Sequence, residues 1–138
     1  MRSIPLLCAI LSALAFEASA QTSLADGDKL TLRLERRGDG VRLDPAQADE
    51  LVAALLRPDF AERCIEISVE GSRKATREYA LALTHREAEG IAATLRQKGI
   101  ATERLVTIGR GRPDAEKAAP PGALPYSATL KLRPGPCN

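Results

Sequence analysis

The feature that most constrains this chain is one long amphipathic segment set between two strand-like ones. From about Arg77 to Lys98, the residues Tyr79, Leu83, Ala88, Ile91, Ala92 and Leu95 fall on one side at helical spacing. Gly99 supplies the C-terminal stop. Upstream, Ile65, Ile67 and Val69 alternate with Glu66, Ser68 and Glu70, and the period of two predicts a half-buried strand beginning at Cys64. Downstream, Leu105 to Ile108 predicts a third, short strand. A chain that must bury a helix stripe and strand faces together does so by laying helices on a sheet.

The flanks extend the pattern. Lys29 to Glu35 alternates, with Leu30, Leu32 and Leu34 on one face, and predicts a first strand. Arg37-Gly38-Asp39-Gly40 predicts a turn, and its Arg-Gly-Asp triplet is read as turn chemistry. Asp44-Pro45 is a helix start, with Asp as N-cap and Pro in the first turn. Ala48, Leu51, Val52, Leu55 and Leu56 form its apolar stripe, and Pro58 ends it. Gly71 to Thr76 and Asp114 to Pro125 read as loops, and Ser127 to Leu132 as a last strand. The expected order is β-α-β-α-β-β, an α/β (α+β) two-layer sandwich with a small mixed sheet and two main helices. One domain is expected over residues 29–138, behind a flexible lead-in at 21–28.

Residues 1–20 read as a cleaved secretory signal peptide. Arg2 is the positive start, Ile4 to Phe16 is mostly apolar, and Ala18-Ser19-Ala20 is a small-residue cleavage site. Cleavage leaves 138 − 20 = 118 residues and two of the three cysteines, Cys64 and Cys137. An exported chain with an even cysteine count is expected to be disulfide-bonded. The expected location is periplasmic, with no transmembrane segment in the mature chain.

Composition removes several function classes. Twenty Lys and Arg against eighteen Asp and Glu give a net charge of +2, and there is no Trp, with two Tyr and two Phe. That is too neutral and too poor in aromatic faces for a nucleic-acid binder. Two cysteines and one histidine, His85, without tight spacing cannot close a zinc shell, so no metal is expected. No catalytic residue is expected either. His85 sits mid-helix between Thr84 and Arg86, away from any nucleophile and orienting acid. Glu66, Glu70 and Glu78 read as ordinary strand and helix surface, and Gly109-x-Gly111 lacks the third glycine of a dinucleotide fingerprint, so no cofactor is expected.

Cys64 to Pro113 resembles the OmpA-like domain, the periplasmic C-terminal domain of outer membrane protein A. The resemblance rests on the strand Ile65 to Gly71, on Tyr79, Leu83-Thr84, Ala88, Ile91 and Leu95 in the helix, on Lys98-Gly99-Ile100, and on Gly109-Arg110-Gly111. It implies a non-catalytic domain of the Gram-negative cell envelope that holds the diaminopimelate side chain of the wall peptide. In that family an Asp pairs with the ligand ammonium and an Arg grips its carboxylate in a bidentate contact.

The ligand-making positions depart from the pattern. The family Asp falls on Ser72 or Lys74, according to where the shorter loop is gapped. The family Arg, directly before the helix Ala, is Glu87. Arg86 is adjacent, but neighbouring helix residues point about 100° apart, so it does not face the pocket squarely if Glu87 does. Lys74 and Glu87 are expected as solvated charges or a surface ion pair, and Arg33, Arg36, Arg37 and Arg42 as a solvated face. Two functions remain: peptidoglycan contact through altered residues, or a scaffold that binds another envelope protein.

Overall fold

The computed structural model describes residues 24, 29–71, 76–112 and 122–138. The expected signal peptide, most of the lead-in and the loop positions 72–75 and 113–121 lie outside the described residues. Six strands and two helices run in the order β1 (Lys29–Thr31), β2 (Leu34–Arg37), β3 (Gly40–Leu43), α1 (Pro45–Leu55), β4 (Cys64–Gly71), α2 (Arg77–Gln97), β5 (Leu105–Gly109) and β6 (Tyr126–Arg133). Short 3-10 turns at Pro58–Phe60 and Thr102–Arg104 precede β4 and β5.

A four-stranded sheet in the order β1-β6-β4-β5 forms one layer. β5 lies parallel to β4, with Ile67 opposite Thr107, while β6 lies antiparallel to it, with Ile67 opposite Leu130. This is the mixed sheet expected from the sequence. Ile65, Ile67, Val69, Leu130 and Leu132 turn to the core and meet Leu51 and Leu55 of α1 and Ile91 and Leu95 of α2, all essentially fully buried. Each such side chain contributes about 1.5–3 kcal/mol of transfer free energy relative to exposure.

Both helices start where side-chain chemistry places them. The Asp44 carboxylate accepts the Ala46 N–H at 3.2 Å, with Pro45 in the first turn. The Thr76 hydroxyl accepts the Tyr79 N–H at 3.3 Å. Each satisfies an amide that the helix ladder leaves unpaired.

The first strand differs from expectation. Lys29–Glu35 is not one strand but two pieces, and Gly40–Leu43 adds a third that makes a separate hairpin with Leu34–Arg37. The break falls at Leu32-Arg33. Leu32 still donates to Ala128 C=O at 2.9 Å and is buried, but the Arg33 N–H is taken by the buried Gln47 side chain of α1. A side-chain acceptor there diverts the backbone from the sheet into the hairpin, which turns through Gly38-Asp39 with Gly38 at φ +56°.

Two further ties brace the end of the sheet where β4 begins. Cys64 and Cys137 form the expected disulfide, with Cα atoms 4.8 Å apart and a sequence separation of 73. A loop of that size gives about 4 kcal/mol in the chain-entropy account. Arg104 donates to Leu55 C=O at 2.9 Å, to Arg63 C=O at 3.3 Å and to Phe60 C=O, binding the end of α1 to the approach of β4. Burial lowers its guanidinium pKa from the ordinary value.

Candidate functional site

Helix α2 has two neighbours with different chemistry. On one side the C-terminal ends of β4 and β5 form a glycine-lined rim. Gly71 N–H donates to Gly111 C=O at 2.8 Å, and Gly111 N–H donates to the Thr84 hydroxyl at 2.9 Å. Thr84 is fully buried, and its hydroxyl in turn lies 2.9 Å from Ala80 C=O as a donor. One threonine thus ties the helix to the strand exit with a donor and an acceptor satisfied.

The rim glycines are there because the backbones approach closely. A Cβ at Gly109 would lie 2.4 Å from the His85 amide nitrogen, a contact that real side chains do not make. Gly111 has φ +68° and sits under Leu81. Tyr126, opposite Gly71 at the start of β6, closes the rim and is buried. His85 itself is exposed, and it meets the rim through its backbone.

On the other side α2 meets the hairpin through Glu87. The sequence reading placed this residue among solvated charges, and the structure corrects that: Glu87 is buried, with its side chain only 10% exposed. Its carboxylate accepts the Val41 N–H at 3.3 Å. It also crowds Gly40, where a Cβ would lie 2.5 Å from Glu87 Oε1. Arg86 stays exposed and reaches back to Glu87 Oε1 at 3.8 Å, so it does not enter the interior. Ser72 and Lys74 lie outside the described residues.

The face of α2 runs largely as expected, with Ala88, Ile91, Ala92 and Leu95 buried and Leu83 packed against the core. Tyr79 is exposed rather than buried, and Ala80, Thr84 and Glu87 join the inward side, two of them polar residues that an apolar pattern does not include. The arginines near the hairpin are exposed but engaged: Arg33 pairs with Asp44 at 3.4 Å, Arg42 with Glu35 at 2.8 Å, and Arg36 donates to Ala123 C=O at 3.5 Å.

Among the described residues, Glu66 is bracketed by Arg110 and Arg133, each at 3.7 Å. No group of three or more His, Cys, Asp or Glu residues there is placed to hold a metal ion. No helix there is long and apolar enough to cross a membrane.

Taken together, a mixed sheet backed by two helices, with β4, α2 and β5 joined at a glycine rim, defines the class as a two-layer α+β domain. Its fold is that of OmpA-like domains. The chain is similar to the peptidoglycan-associated lipoprotein of Burkholderia pseudomallei, at 18% identity over 75% of this chain and 89% of that one, with a TM-score of 0.58. It is also similar to the OmpA-like domain of FopA1 from Francisella tularensis, at 16% identity over 88% of this chain and 90% of that one, with a TM-score of 0.52. No family model and no curated protein matches the sequence.

Proposed function

We propose that this is an exported, non-catalytic cell-envelope domain that keeps the OmpA-like scaffold without its diaminopimelate clasp, and that works by binding another envelope protein. The observation that carries this is the buried Glu87 carboxylate on the Val41 amide. The resemblance puts a ligand-gripping arginine at this position. A ligand carboxylate brought to about 4 Å from Glu87 would instead be repelled by about 4 kcal/mol at an effective dielectric of about 20. The exposed Arg86 offsets only part of that, because charges in water interact weakly.

The apolar segment at residues 4–16 and the small residues Ala18-Ser19-Ala20 support export with cleavage after Ala20. The Cys64–Cys137 disulfide supports a periplasmic location, since such bonds persist in oxidising compartments. A second reading keeps direct peptidoglycan contact through Ser72, Lys74, Arg86 and Glu87. The intact Gly71–Gly111–Thr84 rim favours it, because that backbone frame is unaltered by the charge change.

Retention of the periplasm-purified protein on peptidoglycan sacculi, with and without free diaminopimelate, separates the two. The scaffold reading expects no retention that diaminopimelate competes away. Retention lost on adding diaminopimelate would overturn it in favour of direct contact.

A further inference from the structure

Among the described residues, strand β5 is an outer strand of the four-stranded sheet, and the strand itself carries none of the usual guards of an edge. Its residues, Leu105 to Gly109, include no charge and no proline. Natural edges are commonly blunted by lysine, proline or a bulge, because an open row of amides and carbonyls templates further pairing.

The direction of those open groups follows from the ladder. Arg110 N–H donates inward to Val69 C=O at 2.9 Å, and Ile108 and Val106 stand opposite Ser68 and Glu66 of β4. Alternation along the strand therefore turns the main-chain groups of Leu105, Thr107 and Gly109 outward. The Thr107 hydroxyl bonds Glu89 of α2, so Val106 and Ile108 lie on the face away from the helix, where both are half-buried.

Charge selects what pairs there. Exposed Glu103 precedes the strand, and exposed Arg110 and Arg112 follow it. A strand that is negative at its start and positive at its end complements an antiparallel copy of itself. Centred on Thr107, the register sets Leu105 opposite Gly109 of the second copy and Val106 opposite its Ile108. Glu103 lies in the 3-10 turn before the strand, so it faces the Arg110–Arg112 end of that copy without entering the ladder. The outward-facing residues are the ones this register joins by hydrogen bonds. Arg104 would be the one repulsive neighbour of Arg110, but its guanidinium is turned inward onto the carbonyls of Leu55, Arg63 and Phe60.

We propose that the chain self-associates through antiparallel β5–β5 pairing, so that one sheet runs across a two-fold dimer. Analytical ultracentrifugation of the periplasm-purified protein, from micromolar to millimolar concentration, tests it. The expected result is a concentration-dependent dimer. Glu103→Arg should weaken it about tenfold, because two symmetric contacts become repulsive, and adding Arg112→Glu should restore it. Ile108→Lys should weaken it as well, with circular dichroism confirming that each variant is folded. A monomer at every concentration would overturn the proposal. So would a dimer that none of these changes moves, or a Glu103→Arg defect that Arg112→Glu does not repair. None of these results bears on sacculus binding, so the two readings fail separately.

Discussion

The two neighbours of α2 differ in what they preserve. At the rim, Thr84 and three glycines hold the backbone frame of an OmpA-like fold, with the hydrogen bonds that join helix to strand exits made through main chain and one hydroxyl. At the hairpin, one turn further along the same helix, Glu87 fills the place where the resemblance puts a ligand-binding arginine. Frame and ligand chemistry are thus separable over a single helical turn. The packing needs of the frame are strict, because backbone meets backbone. The hairpin contact needs only an acceptor for the Val41 amide, so it leaves room for the charge to change.

This contrast is broken most severely at the rim. Gly109→Val should cost about 3 kcal/mol or prevent folding, since its side chain would displace the α2 backbone at His85; thermal unfolding by circular dichroism measures it. Thr84→Val should cost about 2 kcal/mol in urea titration, leaving the buried Gly111 N–H without its acceptor. On the hairpin side the effects should be smaller. Glu87→Ala should cost about 1 kcal/mol, the loss of a single acceptor for Val41 N–H. Glu87→Gln retains an acceptor oxygen and should cost less, about 0.5 kcal/mol. A Glu87→Ala cost that matched Thr84→Val would erase the distinction between the two sides.

Much of the frame was legible in the sequence because it is written in periodicity. The alternation at Ile65–Val69 and the Asp44-Pro45 start each have a local cause that survives into the fold. The Gly109/Gly111 pair was legible through the resemblance alone, since what Gly109 answers to is the distant α2 backbone at His85. The hairpin was not legible. Lys29–Glu35 alternates like one strand, and what divides it is a distant partner, the Gln47 side chain on the Arg33 amide. Burial of Glu87 was hidden for a related reason: a glutamate reads as solvent-facing until a backbone donor from 46 residues away is brought to it. Including Thr84 and Glu87 in the helical stripe between Ala80 and Ile91 is the signal that was present and passed over. The paired cysteines were legible because compartment and count alone predict them.

The central claim, that the frame persists while the clasp is lost, is tested most directly by titrating the isotope-labelled protein with a diaminopimelate-containing wall peptide and following backbone amide resonances. The account predicts that Val41, Thr84 and Gly111 do not shift as peptide is added. Saturable shifts at these residues, abolished by Glu87→Ala, would contradict it.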